Sequence, residues 1–394
     1  MRIAINAALA GPTATGIGTY ASSLARALPR VDGGAHHYDV FVGGLSDADD
    51  AATAEQRLHW HTVPRGGAAQ RLLWENWRFG RAAAAAHAAV LHSTSSYLPW
   101  SARGASVMTV HDLAIYRYPA AFKPVNRTLG RWLFERSLRR AGALIAPSQA
   151  TCRDLVELLG VDAGRIQVIP EATDALFQPV IDPTELARVR HLYHLDRPYV
   201  LSVGTAEPRK NLVRLLTAFA ACQATLPVTH ELVLVGGRGW LTGPLEAAAR
   251  PLLAAGLLRV LGYVPQTDLP ALYSGAAAFA YPSIYEGFGL PVLEALACGA
   301  PVLTSNRSSL PEVVGTAGLL VDPDASAAIA AGLCALVTDA ALATNLRRRG
   351  LSRARQFSWE MAARATLAVY ARVLSSPVRA HRTADPAVAG ERSG

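Results

Sequence analysis

The chain has 394 residues, 51% of them hydrophobic, with a formal net charge of +8. That length exceeds one ordinary domain core, so two domains are expected, and the apolar content excludes a disordered chain. The four cysteines, Cys152, Cys222, Cys298 and Cys334, form no C-x-x-C pair; this argues against zinc and a disulfide framework and suits a reducing cytosol.

Short β-branched runs alternate with longer helical patterns. In chain order the first set of strands is RIAIN (2–6), YDVFV (38–42), AVLHS (89–93), SVMTV (106–110) and ALIAP (143–147). The second set is YVLSVG (199–204), ELVLVGG (231–237), RVLGY (259–263), AAFAYP (277–282) and PVLTS (301–305). Strands alternating with helices imply parallel sheets covered on both faces, here two doubly wound α/β domains. The break falls in the polar, proline-containing stretch 171–199. The expected organisation is a first domain over 1–175, a second over 176–374 and a disordered tail over 375–394, with the last helix, 359–374, crossing back to the first domain.

The opening MRIAINAALAGP reads as a strand rather than a signal peptide. No uncharged apolar run reaches the roughly 18 residues of a spanning helix. ASAAIAAGLCALV (325–337) comes closest, and it follows the acidic helix start DPDA, which favours a globular helix.

Ligands of doubly wound sheets bind beyond the carboxyl ends of the strands, so the loops there carry the chemistry. TGIGTY holds Gly16 and Gly18 before a helix. The G-x-G-x-x-A spacing suggests a dinucleotide, but nine residues separate Asn6 from Gly16 and the second strand ends in glycines instead of an acid. A loop bringing helix-start amides to a phosphate or sugar fits better; a plain helix start remains the ordinary alternative. TVHDLA puts His111 just past an apolar strand, facing the cleft, although a lone histidine in such a loop is often structural. In GTAEPRKN, Gly204 permits a tight strand exit, and Arg209 and Lys210 stand near a helix start. Two cations beside helix-start amides suit a diphosphate, against the alternative of a solvated basic turn. Only two lysines, Lys123 and Lys210, stand among the 38 basic residues, so a lysine here is mildly informative.

YEGFGLPVLEAL places Glu286 and Glu294 with seven residues between them. Its glycines keep the backbone thin, so Phe288, Gly289 and Leu290 can offer amides to a ligand, and Pro291 opens the helix. A carboxylate accepts two hydrogen bonds from a vicinal diol, so Glu294 suits a ribose. Glu286 suits a polyhydroxylated substrate or a developing positive charge. The alternative for Glu294 is a complement to the helix dipole.

Together these residues describe a nucleotide-sugar site, and here the chain resembles a known family: the retaining glycosyltransferases of family 4, with the two-Rossmann GT-B fold. The resemblance runs from residue 1 to about 374 and rests on EGFGLPVLE, GTAEPRKN, TVHDL, TGIGTY and SSLPEVVGTAGLLVDP (308–323). It implies that Glu294 binds the ribose, Glu286 contacts the donor sugar, Arg209 and Lys210 hold the diphosphate, and His111 reaches the transferred sugar. Two departures stand out. VIPEATD (168–174) lacks the Asn-Gly of many members, and SSLPE lacks their glycine pair.

The resemblance further implies same-face attack, with the leaving diphosphate taking the acceptor's proton. Catalysis would then rest on electrostatics and domain closure. No D-x-D element is placed at the end of a cleft strand, so no metal and no cofactor are expected. The pattern is similar to mannosyl or deoxyhexosyl transferases of bacterial polysaccharide assembly. GDP-mannose is the first expected donor and a UDP-sugar the second, with a saccharide acceptor, lipid-linked. A UDP-sugar transferase on a soluble acceptor and a GT-B nucleotide-sugar epimerase are the alternatives. Residues 117–140 interleave Arg and Lys with Phe122, Trp132 and Phe134, and RLLWENWRFGR (71–81) repeats that mixture. This suggests a cytoplasmic protein held peripherally on the inner face of the cell membrane by anionic lipid. A nucleic-acid partner is not expected.

Overall fold

The computed structural model describes the chain apart from residues 12–15, 46–55, 65, 103–104, 120–121, 123, 238–242 and 376–394, and apart from the side chains of 68 and 124–126. Two wholly parallel sheets organise it. The first has the order β3-β2-β1-β4-β5-β6-β7. Its strands are β1 (Arg2–Ala7), β2 (His37–Val42), β3 (Leu58–Thr62), β4 (Val90–Ser93), β5 (Ala105–Thr109), β6 (Ala143–Ala146) and β7 (Ile166–Val168). The second has the order β10-β9-β8-β11-β12-β13. It comprises β8 (Tyr199–Val203), β9 (Glu231–Val235), β10 (Leu258–Gly262), β11 (Ala278–Tyr281), β12 (Val302–Ser305) and β13 (Gly318–Val321).

This is the GT-B fold. All ten expected strands form, and β3, β7 and β13 are added. Each addition lies at a sheet edge, where one side of the strand stays half wet; LHWHT in β3 is only buried at its first residue. Such strands lack the continuous apolar run of a central parallel strand.

Both sheets change winding direction once, between β1 and β4 in the first and between β8 and β11 in the second. Those two points open a crevice at the carboxyl ends of the strands. Each sheet is sandwiched by two buried apolar clusters. The helix Trp359–Ser375 buries Trp359, Ala363, Tyr370 and Val373 in the first domain's core, against the helix Ile17–Val31 and β5. Ser375 closes it, and the rest of the expected tail lies outside the described residues.

One expectation fails. Cys222 and Cys334 are disulfide-bonded, with Cα atoms 5.6 Å apart. The helices Leu212–Gln223 and Ser326–Thr338 pack side by side on the second sheet, so the two thiols meet although 112 residues separate them. Spacing along the chain carries no trace of such a tertiary contact. Cys152 and Cys298 are free thiols.

Candidate active site

The site grows from the β8/β11 switch point. After β8, Gly204 turns the chain into a 3₁₀ turn, Pro208–Lys210. Asn211, in the left-handed region at φ 60°, then starts the helix Leu212–Gln223. Asn211 holds that conformation because its buried amide donates to the carbonyls of Pro282 (3.1 Å) and Pro323 (2.7 Å). The turn thereby swings Arg209 and Lys210 over the end of β11.

There they meet Glu286. Lys210 Nζ donates to Glu286 Oε1 at 2.6 Å, and Arg209 Nη1 donates to Oε2 at 2.6 Å. Tyr281 and Ser283 donate to Oε1 at 3.0 and 2.7 Å, and Lys210 also bonds the Tyr281 hydroxyl. Burial alone would push the carboxyl up. The charges of Lys210 and Arg209, with the hydrogen bonds from Lys210 and Ser283, outweigh it and hold Glu286 down at about 2. Arg209 is held charged, its pKa raised above the ordinary value: burial opposes this, but Glu286 and Glu207 outweigh it. Glu207 adds a second carboxylate, 2.7 Å from Arg209 Nε.

The segment 286–290 is thin for two measurable reasons. A Cβ on Gly287 would sit 1.8 Å from the carbonyl oxygen of His111, so only glycine lets the two domains approach here. Gly289 has φ 116°, and a Cβ on it would press on Leu310. Phe288 is buried against Phe357. Among the described residues the amides of Phe288, Gly289 and Leu290 donate to no other group, and they open the helix Leu290–Ala297, with Pro291 in its first turn. Glu294 lies one turn in. Tyr273 donates to its Oε2 at 2.7 Å, and burial, only partly opposed by that bond, raises the carboxyl to about 7.

The first domain supplies the facing wall. His111 is buried against the edge of Tyr20 at 4.8 Å; Tyr20 lies in the helix Ile17–Val31, four residues after its N-cap Gly16 and two after Gly18. Residues 12–15 of that glycine loop lie outside the described residues. Both His111 nitrogens face acceptors: Nδ1 is 3.0 Å from Glu171 Oε1 and Nε2 is 2.9 Å from the Thr94 carbonyl. Burial works against the charged ring. The Glu171 hydrogen bond and charge prevail, and the pKa is raised above the ordinary value. This arrangement therefore favours the doubly protonated ring.

The wall is latched to the second domain. Tyr285 donates to Asp154 at 2.7 Å and accepts from the Leu113 amide at 2.9 Å. Ser148 donates to the Gly287 carbonyl at 2.7 Å. The Glu312 carboxylate accepts from the amides of Gln149 and Ala150 at 2.7 and 2.8 Å, capping the helix Gln149–Leu159 from across the cleft.

The structure thus brings Gly204, Arg209, Lys210, Glu286 and the 288–290 amides to one crevice, with Glu294 a helical turn away and His111 on the opposite wall. The sequence reading did not single out Tyr281, Ser283, Glu171 or the Ser308 and Ser309 hydroxyls, which bond the Glu286 backbone. Asp322-Pro323-Asp324 is a D-x-D element following the unanticipated β13. Both its carboxylates pair with Arg307, at 2.9 and 2.6 Å.

Residues 14–175 match the family described as Glycosyltransferase Family 4, and residues 184–353 match Glycosyl transferases group 1. O-antigen chain mannosyltransferase B of Escherichia coli is 38% identical over 71% of this chain and 74% of its own length. The chain belongs to glycosyltransferase family 4. This family 4 enzyme is a retaining hexosyltransferase. Among solved structures, sucrose-phosphate synthase from Thermosynechococcus elongatus superposes with a TM-score of 0.73 at 25% identity, over 94% of this chain and 98% of that one. The Anabaena protein HepE in complex with UDP-glucose superposes with a TM-score of 0.69 at 19% identity, covering 95% and 98%; at that identity the likeness is one of fold.

Proposed function

We propose that this enzyme transfers mannose from GDP-mannose to a lipid-linked saccharide in bacterial polysaccharide or glycolipid assembly. The observation that carries the reading is the Arg209–Lys210–Glu286 cluster at the β8/β11 switch point. The choice of mannose is supported by the 38% identity to an O-antigen mannosyltransferase. Arg209 and Lys210 would take the diphosphate in exchange for Glu286, stabilise the charge growing on it as the glycosidic bond breaks, and need no metal for this. Glu286, released from the cations, would face the sugar. Glu294 would hold the ribose diol. His111, as an imidazolium, would meet the sugar from the other wall by turning its Nε2–H from the Thr94 carbonyl to the sugar.

The test is a panel of nucleotide sugars incubated with enzyme and a hexoside in EDTA, with nucleoside diphosphate release as the readout. GDP-mannose should be consumed. Release from a UDP-sugar instead would favour the alternative that the UDP-glucose complex of HepE illustrates, a UDP-sugar-dependent transferase on a soluble acceptor. Sugar conversion without release would mean an epimerase.

Glu294→Ala should weaken binding of the nucleoside diphosphate by about tenfold or more, because the hydrogen-bonding partner of the diol is lost even with no sugar present. Calorimetry with GDP alone reads this; wild-type affinity in the variant would take Glu294 out of the ribose site.

The location reading gains support from how the aromatic residues divide. Phe79 and Phe134 are buried in the first domain's core, whereas Trp77, Trp100 and Trp132 are 47%, 40% and 51% exposed. The three indoles adjoin, with centroids 6.2 and 5.7 Å apart, and Arg136 covers Trp100. Leu73 and Leu129 are exposed one turn from Trp77 and Trp132, and Arg78, Arg81, Arg139 and Arg140 are exposed in the same helices. Indole with arginine suits the interface of an anionic bilayer. Among the described residues no single helix is long and apolar enough to cross a membrane, so attachment would be peripheral. In flotation, the protein should rise with vesicles containing anionic lipid and be released by high salt. Protein left at the bottom at low salt would end the membrane reading.

A further inference from the structure

The second sheet's switch point holds the cation–carboxylate cluster. The first sheet has a switch point too, between β1 and β4, and it is also built from polar side chains. Asn6, near the end of β1, accepts from Trp74 Nε1 at 3.0 Å and donates to Ser95 Oγ at 3.3 Å. Ser95 stands two residues beyond β4, and Thr94 beside it gives its carbonyl to His111. This crevice is therefore joined, through one peptide, to the histidine on the cleft wall.

Over it lies Glu75. It sits in a single π-helical turn, Trp74–Arg78, inserted between the helices Ala68–Leu73 and Phe79–Ala85. Turns of that kind recur at functional sites. The side chain is 1% exposed. The Ser95 hydroxyl is close enough to the carboxyl group to lower its pKa, which puts the carboxyl beside the β1/β4 crevice. Its Oε2 is buried without a hydrogen-bond partner; the nearest cation, Arg71 Nε, stands 4.0 Å away. Burial, weakly opposed by Arg71, raises the group to about 7. Asn76, the next residue, also buries an unpartnered oxygen, Oδ1. A buried acceptor atom without a donor costs stability.

We propose that Glu75 is an acceptor-binding residue: its free Oε2 takes a hydrogen bond from a hydroxyl of the saccharide that receives the sugar. The assignment rests on the transfer reading above. It places donor and acceptor at the two switch points, which face each other across the same cleft. An amide, a serine, an indole and a carboxyl are partners suited to a sugar's hydroxyls and apolar faces. No proton transfer is assigned to Glu75.

The experiment uses the full chain with GDP-mannose as donor and a panel of methyl hexosides as acceptors, following GDP release. Glu75→Gln keeps shape but weakens the acceptor atom. It should raise KM for the hexoside by about tenfold or more, with KM for GDP-mannose within twofold of wild type and the melting temperature unchanged. Glu75→Met should abolish saturable use of the hexoside while melting at or above the wild-type temperature. Unchanged acceptor KM in Glu75→Gln would overturn the assignment. So would a fall in melting temperature with both KM values moving together, the mark of a structural carboxyl. Wild-type enzyme that releases GDP with no acceleration by any hexoside would also remove the saccharide from this crevice and leave the donor reading standing. No release from GDP-mannose under any condition would sink the donor reading and this assignment with it.

Discussion

Lys210→Ala should lower turnover by about a hundredfold or more while the fold survives, the range seen when one preorganised electrostatic donor is lost. The side chain is 10% exposed, with its amine fixed by Glu286 and Tyr281, so it is aimed before any ligand arrives. Arg209 remains in the variant and still pairs with Glu286; it gives partial charge compensation but cannot occupy the amine's position. The rate of nucleoside diphosphate release, at saturating donor, is the measurement. Wild-type turnover would remove Lys210 from the diphosphate site.

Glu286→Ala should be as damaging to turnover, and it should also unsettle the fold. It strips two part-buried cations of their shared carboxylate; breaking a fully buried pair costs about 3–5 kcal/mol, and the 22% exposure of Arg209 and its remaining bond to Glu207 lower the cost here. Its effect on nucleoside diphosphate affinity should be opposite to that of Glu294→Ala. Lys210 is then no longer held by a protein carboxylate and Arg209 keeps only Glu207, so binding should stay near wild type or tighten. Equal losses of affinity in the two variants would contradict the separate roles. The pH dependence follows from the depressed carboxyl. Glu286 titrates at about 2 in the folded protein against an ordinary 4.5, so its stabilisation is complete above pH 4.5. It is lost as pH falls through about 2. The melting-temperature advantage of wild type over Glu286→Gln should therefore shrink across that interval, and a difference independent of pH would show that Glu286 is not the charged partner.

Much of the crevice at the β8/β11 switch point was legible because its chemistry is local. The glycines of 287–289, Pro291 and the two glutamates sit on one strand–turn–helix unit, and Arg209 and Lys210 sit on another. The contacts that complete the site are not local. Glu171 reaches His111 across 60 residues, and Tyr285 reaches Asp154 across 131. Such pairs leave no periodicity to read. Yet the two departures from the family pattern fall on contact residues. Glu171 stands in VIPEATD and becomes the partner of His111. Ser308 stands where many members have glycine. It has φ 57°, a region that disfavours side chains, and its hydroxyl bonds the Glu286 backbone on both sides. The same limit explains the aromatic residues. Composition could not separate buried Phe134 from exposed Trp132, and Trp100, which links Trp77 to Trp132, lies outside both basic stretches.

The central claim is that Arg209 and Lys210 form the diphosphate pocket of a sugar-nucleotide donor. Calorimetry with GDP and with guanosine, on wild type and Lys210→Ala, tests it most directly. Wild type should prefer GDP to guanosine strongly, and the variant should lose most of that preference while its affinity for guanosine is unaltered. A preference that survives the substitution intact would contradict the account.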